Sequence, residues 1–313
     1  MQGFQLVLWA IVPPLLLLIY YYRRVPGAPP LPRLLLFFAI GAISGFVALG
    51  LEWGFESLAS SVVDWEQITR SLSGVALRQL VEVAPIEEGS KLGGVVLFQS
   101  LLLLRPKRPS TVFLAATAVA LGFTAEENWV YLSNGTASIF DRLIGTPVHA
   151  LFSAPWGYAL GVAGYRRSIA IAWLNAVICH ALVNVLSSAW GYSRGLSFLS
   201  YGLFPFLLWM FWRMEGLLRR SQGKPSITLI SGPTRIYRYW QRGLALFATI
   251  LGGNAIFGLF LLARSLSPLS PSQLLYPDVC WFLISRFVFN LMPGLIALII
   301  YRYLRHWASR CRR

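Results

Sequence analysis

The chain of 313 residues is 56% hydrophobic and 12% charged, and its mean hydropathy is +0.61. A soluble domain carries about 25% charged residues, so this composition predicts a polytopic membrane protein and excludes an ordinary soluble domain. The net charge of +15 does not indicate nucleic-acid binding. The basic residues cluster just beyond the apolar segments, where they set topology and contact anionic lipids at the cytoplasmic face.

Apolar segments of near-spanning length follow one another along the whole chain, which predicts an all-α transmembrane helix bundle. The nine predicted spans are 4–22, 34–56, 74–104, 111–133, 145–165, 168–190, 195–214, 243–264 and 279–304. Twenty of the 27 Lys and Arg residues then fall on one side and four on the other, which predicts an outside N-terminus and a cytoplasmic C-terminus. We expect two N-terminal helices over 1–73, a four-helix catalytic core over 74–190, and three helices with a basic tail over 191–313.

Four consecutive predicted helices carry polar side chains that a lipid-facing helix would not keep. A charge near the bilayer centre costs about 2.5–3.5 kcal/mol on insertion scales, so such residues usually serve a function. With a rise of about 1.5 Å per residue, each of the four helices has one of these groups roughly 24 Å from its inner end. We therefore expect one polar layer in the outer half of the bilayer. Its members are Glu87, Glu88, Lys91, Glu126, Glu127, Asn128, His149, His180 and Asn184.

Helical spacing pairs some of these residues. Glu87 and Lys91 are four residues apart and share a face, while Glu88 reaches Lys91 at three residues. This pairing leaves Glu88 as the freer carboxylate. Glu126 and Glu127 point about 100° apart, so only one of them faces a given target. A single buried salt bridge can simply join two helices, but one salt bridge does not account for the whole set.

Carboxylates and histidines at one depth are suited to hydrolysis. They can bind Zn²⁺, which leaves an open position for water in catalytic sites and makes that water nucleophilic. Without a metal, a glutamate can act as general base on water, and histidine or asparagine can stabilise the oxyanion. Both routes predict hydrolysis inside the membrane, and the residues alone leave the choice between them open.

Four motifs resemble those of the PrsW-type intramembrane proteases. Glu87-Glu88-Gly-Ser-Lys91 resembles the EExxK motif of that family. Phe123, followed by Glu127-Asn128, resembles its FxxxEN motif, although the additional Glu126 leaves open which acid faces the site. His149-Ala-Leu-Phe-Ser and His180-Ala-Leu-Val-Asn184 resemble the third and fourth motifs. The resemblance covers about residues 74–190. The family is related to the type II CAAX prenyl proteases and, more distantly, to a non-catalytic γ-secretase scaffold subunit.

The resemblance implies roles for the motif residues. Either Glu87 or Glu88 would be the catalytic base, and the related prenyl proteases favour the first. Glu127 and His149 would position water or metal, and His180 with Asn184 would bind the oxyanion or metal. If the enzyme uses Zn²⁺, the implied ligands are His149, His180 and Glu127; otherwise no cofactor is expected. The supporting residues are Lys91, Phe123, Glu126 and Asn128.

The same resemblance implies an intramembrane endopeptidase of the bacterial cytoplasmic membrane. Its substrates would be membrane-embedded or juxtamembrane proteins, either single-span proteins or proteins similar to an anti-sigma factor. Two alternatives come from other functional classes. A proteolytically inactive scaffold could keep the motifs for helix packing, and an ion- or proton-coupled transporter could use the carboxylates and histidines as a relay. Inverted repeats would favour a transporter, and the sequence shows none.

Overall fold

The computed structural model describes residues 2–101, 108–162, 166–231, 234–266 and 269–310, and these consist of helices and connecting turns without a β-strand. The all-α prediction is therefore confirmed. The first nine helices are α1 (Gln2–Arg24), α2 (Leu31–Ser60), α3 (Trp65–Thr69), α4 (Leu72–Arg78), α5 (Ala84–Leu101), α6 (Pro109–Ser133), α7 (Ile139–Gly145), α8 (Val148–Gly161) and α9 (Arg166–Ser188). The others are α10 (Arg194–Ser197), α11 (Leu203–Ser221), α12 (Arg235–Leu266), α13 (Pro271–Leu274) and α14 (Pro277–Arg310).

Seven helical stretches of the described chain are long and apolar enough to cross a membrane. They are Gly3–Arg24, Leu31–Ser60, Pro109–Ser133, Arg167–Gly191, Arg194–Ser221, Arg235–Leu266 and Pro277–Arg310. The two other predicted spans correspond to α5 and α8. Helix α5 carries three charged residues within its 18 residues, and α8 is only 14 residues long. The predicted ends of these spans, at 104 and 165, lie outside the described residues.

The chain divides into two compact units. The first contains Met1–Val185 with Met214–Lys224, and the second contains Leu186–Arg213 with Pro225–Arg313. All of the polar-layer residues lie in the first unit. At the centre of that unit is α6, which packs against α1, α2 and α8 and is buried along most of its length. Helix α6 therefore holds Glu127 in a fixed relation to the helices that carry the other polar residues.

The backbones of α2 and α6 touch because each helix presents a glycine to the other. A Cβ atom on Gly41 would lie 2.0 Å from the carbonyl oxygen of Val119, and one on Gly122 would lie 1.8 Å from that of Phe38. Small residues at such crossings are typical of membrane helices, where close van der Waals packing replaces the hydrophobic effect. Since both positions meet rigid backbone, neither can accept a methyl group without a shift of the helices.

We expect Gly41→Ala and Gly122→Ala to destabilise the protein in detergent by about 1–3 kcal/mol each, because the added methyl group separates the two helices. Thermal denaturation of the purified protein measures this effect. Gly50→Ala, on the same helix as Gly41, is the matched control, since its Cβ would meet no atom within 4 Å. Equal melting temperatures for Gly41→Ala and Gly50→Ala would contradict the close crossing.

Candidate active site

The ammonium group of Lys91 lies at the centre of the polar layer and is fully buried. Its Nζ atom is 2.7 Å from Glu88 Oε1, 3.3 Å from Glu87 Oε2 and 2.9 Å from His149 Nδ1. The ring of Phe123 lies 4.1 Å from the same atom, measured to the ring centroid, and forms a cation–π contact. Lys91 thus connects α5 to α8 and α6 through a single charge.

Glu88 is fully buried, and both of its carboxylate oxygens are occupied. Oε1 pairs with Lys91, and Oε2 accepts hydrogen bonds of 3.1 Å from the Ser153 hydroxyl and from the Trp156 indole N–H of α8. This differs from the pairing expected from spacing, in which Lys91 was the partner of Glu87. The contact between Lys91 and Glu88, which are three residues apart, is shorter than the contact between Lys91 and Glu87, so Glu88 is the anchored carboxylate.

Glu87 has the freer carboxylate group of the two. Its contacts all involve Oε2, which is 3.3 Å from Lys91 Nζ, 3.7 Å from His149 Nδ1 and 3.8 Å from His180 Nε2. Oε1 has no hydrogen-bond partner among the described residues, and 10% of the side chain is exposed. Glu87 therefore faces both histidines and keeps one oxygen available for another molecule.

His149 is oriented by a carboxylate on its far side. Its Nε2 lies 2.8 Å from Glu127 Oε2, so the Nε2 proton is donated to Glu127. Because the ammonium group of Lys91 can only donate, His149 Nδ1 is the acceptor in their contact. This tautomer directs the Nδ1 lone pair of His149 towards Lys91, with Glu87 Oε2 3.7 Å from the same nitrogen.

Arg142 completes this side of the site, and sequence reasoning had not singled it out. From α7 it donates to Glu127 Oε2 over 2.7 Å and to Asn128 Oδ1 over 2.6 Å, and Asn128 in turn donates to the Ala10 carbonyl of α1. One signal was available: Arg142 is among the four basic residues assigned to the predicted outer loops, against the general charge bias. Its guanidinium group balances the charge of Glu127.

His180 also lies beside Glu87, and its Nε2 approaches Oε2, the same oxygen that lies near His149. Its ring stacks on Phe152 at 4.7 Å between centroids and lies 5.3 Å from the ring of His149. Its Nδ1 is 3.4 Å from Glu88 Oε1, yet this buried nitrogen makes no hydrogen bond with the described residues. The Nδ1 atom of His180 is thus a buried polar atom of the site that could form a hydrogen bond with another group.

The site has the donor set and the charge for a metal ion. Glu87, His149 and His180 each offer one ligand atom, and these atoms lie within 4.8 Å of one another. One carboxylate with two imidazoles is typical of catalytic zinc sites, and a carboxylate behind a metal-binding histidine matches the Glu127–His149 pair. In their ionised forms, the three carboxylates of Glu87, Glu88 and Glu127 exceed the two cations Lys91 and Arg142 by one negative charge. The residues therefore fit a divalent cation, with Glu87 in the ligand position that the resemblance gave to Glu127.

Two of the predicted residues lie at the edge of this arrangement. Glu126 points away from the histidines, because its carboxylate packs against α2 at Gly45, where an added Cβ would lie 2.2 Å from Glu126 Oε2. Asn184 donates a 2.8 Å hydrogen bond to Gln79 Oε1, one helical turn beyond His180. The structure brings together Glu87, Glu88, Lys91, Phe123, Glu127, Asn128, His149 and His180 through direct or shared contacts.

A known protein family matches the part of the chain that forms this site. The family model described as PrsW family intramembrane metalloprotease matches residues 29–210, which is more than half of the chain. No curated protein and no solved structure matches the chain. The matched region contains all five helices that supply the polar side chains of the site, α5 to α9. The chain belongs to the PrsW family of intramembrane metalloproteases.

Proposed function

We propose that this chain is an intramembrane endopeptidase that hydrolyses peptide bonds of membrane-embedded or juxtamembrane proteins. The observation that carries the proposal is the convergence of Glu87, His149 and His180 inside a membrane helix bundle. Membership of the PrsW family supports a membrane peptidase. The substrate class, single-span or similar to an anti-sigma factor, and a location in the bacterial cytoplasmic membrane are part of the proposal.

In the proposed mechanism Glu87 is the proton acceptor. Its Oε1 is free of hydrogen bonds from the described residues, so a water molecule beside it can donate a proton there while attacking the scissile carbonyl carbon. His180, whose Nε2 lies 3.8 Å from Glu87 Oε2, can donate to the oxyanion that develops. His149, by contrast, donates its Nε2 proton to Glu127 and accepts from Lys91 at Nδ1. Glu88 has a supporting role, since it holds Lys91 and α8 in place.

Glu87, His149 and His180 are the residues that would hold a zinc ion. Such an ion supplies a nucleophilic water at neutral pH and stabilises negative charge on the carbonyl oxygen. Lys91 lies 2.9 Å from His149 Nδ1, the nitrogen that would bind the ion. Its shorter contact with Glu88, at 2.7 Å, would still pair the ammonium group if His149 Nδ1 bound the ion instead. Glu127 would keep His149 in the tautomer that presents Nδ1.

We further propose that nine helices cross the membrane, with the N-terminus outside and the C-terminus in the cytoplasm. The uneven distribution of Lys and Arg supports this orientation. The seven apolar helices would be joined by α8 and by the continuous helical stretch from Leu72 to Leu101. The charged side chains of that stretch form pairs inside the bundle, so the stretch can cross the membrane although it is less apolar than the other seven helices.

Replacing each glutamate of the first motif separates the two proposed roles. We expect Glu87→Gln to lower kcat by at least about 10³-fold with little change in melting temperature, because the general base is lost while Lys91 keeps Glu88. We expect Glu88→Gln to lower the melting temperature as well, since removing one partner of a buried ion pair costs about 3–5 kcal/mol. Cleavage of a co-expressed single-span substrate and thermal denaturation measure the two effects. Undiminished cleavage by Glu87→Gln would refute the proposed mechanism.

The two acids of the second motif form a matched pair. Glu127→Gln removes the carboxylate that orients His149, and we expect a loss of about 10–100-fold in activity. Glu126→Gln is the control, because this side chain faces α2, and we expect activity within about threefold of the unmodified protein. The reverse ranking of the two variants would show that the orientation of α6 is different from the one described.

Metal content is the third test. We expect the purified protein to contain about one zinc ion per chain and to lose both zinc and activity in His149→Ala and His180→Ala. His306→Ala is the control, since the third histidine of the chain is exposed on α14. Activity that survives chelation in protein free of zinc would favour the metal-independent route, with Glu87 as the base. Zinc bound without any cleavage would favour the inactive scaffold.

A further inference from the structure

The helix that carries Glu87 and Glu88 is preceded by a π turn, Gln79–Val83, which is continuous with α4 and α5. At its end the backbone N–H of Ala84 bonds to the carbonyl of Gln79, five residues earlier, where an α-helix would use four. One additional residue is thus accommodated in the helix just before the first motif. Such insertions are rare, and they occur often at functional sites.

The π turn changes which residues face α9. In an α-helix with 100° per residue, Gln79 and Ala84 would point about 140° apart. Within the π turn, five residues close one hydrogen-bonded turn, so both residues point to the same side. Ala84 is fully buried against Val177 and Ala181 of α9, and Gln79 accepts the hydrogen bond from Asn184 of the same helix. Helix α9 is therefore contacted at both ends of the π turn.

This alignment extends to the glutamates of the first motif, Glu87 and Glu88. Glu88 follows Ala84 by four residues, shares its face of α5, and lies 3.4 Å from His180 of α9. Three contacts with α9 therefore lie along one line: Gln79 with Asn184, Ala84 with Ala181, and Glu88 with His180. Removing the additional residue would rotate one end of this line by about 100° relative to the other.

A second set of contacts holds the π turn against α2 and α3. Glu82, which is fully buried, accepts a 2.9 Å hydrogen bond from the indole N–H of Trp65 in α3 and pairs with Arg78 at 3.3 Å. Arg78 also pairs with Glu56 of α2. Leu80, by contrast, is 47% exposed and faces away from these partners. The π turn is thus fixed by polar contacts on two sides, while its outward face is free of them.

We propose that Gln79 is a positioning residue for the hydrolysis. This proposal rests on the protease function proposed above. Its hydrogen bond to Asn184 holds the π turn against α9 and so sets the direction in which Glu87 and Glu88 point towards the two histidines. Asn184 then acts through Gln79 and not on the substrate, in contrast to the oxyanion or metal role that the family resemblance implies.

The test uses the full-length protein in detergent and measures kcat and KM on a single-span substrate taken from a co-expressed library. We expect Gln79→Leu to lower kcat by roughly 10–100-fold with KM nearly unchanged, because a misplaced catalytic group slows the chemical step. Deletion of Leu80 removes the additional residue of the π turn, and we expect it to lower kcat by at least about 100-fold. Leu80→Ala is the matched control and should keep full activity.

An exchange of the two amides distinguishes positioning from general stability. We expect Gln79→Asn alone to lower kcat, because the shorter side chain no longer reaches Asn184. The double variant Gln79→Asn/Asn184→Gln restores the combined length of the pair, and we expect it to recover at least half of the lost activity. Size-exclusion chromatography and thermal denaturation check the folding of each variant.

The outcomes separate this proposal from the proposed function. If Glu87→Gln abolishes cleavage while Gln79→Leu and the Leu80 deletion keep full activity, the positioning role is refuted and the protease function stands. If Glu87→Gln is fully active, the proposed function itself fails. Should Gln79→Leu or the deletion not fold, the exchanged pair decides, and an absence of recovery there overturns the proposal.

Discussion

The buried ammonium group of Lys91 is the constraint on which the rest of the site depends. A charge inside a bilayer has to be paired with groups that come from within the protein, because neither lipid nor bulk water can compensate it. Lys91 obtains this compensation from Glu87 and Glu88 on its own helix and from His149 on α8, with the face of Phe123 on α6 as a further contact. Pairing the charge of Lys91 therefore fixes the positions of α5, α6 and α8 relative to one another.

This arrangement gives the two adjacent glutamates, Glu87 and Glu88, different surroundings. Neighbouring residues on a helix point about 100° apart, so Glu87 and Glu88 share Lys91 but otherwise reach different groups. Glu88 points to α8, where Ser153 and Trp156 occupy its second oxygen. Glu87 points to the two histidines and keeps Oε1 without a described partner. The anchored carboxylate holds the ammonium group, and in the proposed mechanism the freer one is the proton acceptor.

The surrounding helices support the site by different means. Helix α6 is held against α2 by direct backbone contact at Gly41 and Gly122, and no polar group is needed there. At the level of Glu127, by contrast, Arg142 and Asn128 form a hydrogen-bonded chain that orients His149 from behind. Apolar close packing thus sets the helix positions, and the polar chain sets the orientation of a single imidazole ring.

Composition and motif order by themselves determined that the protein is an all-α membrane protein, that four consecutive predicted spans carry polar residues, and that most of these residues lie close together. This was possible because the insertion cost of each charge depends on residue type and approximate depth, and both can be read along the chain.

The direction in which each side chain points could not be read in the same way. Which of Glu126 and Glu127 faces the histidines, and which of Glu87 and Glu88 is anchored, depends on the rotation of each helix about its axis. A π turn such as Gln79–Val83 changes that rotation by about one residue and leaves no clear mark in the hydrophobic pattern. The contacts of Arg142 and Gln79 join residues 14 to 105 positions apart, so only the tertiary structure could bring them together.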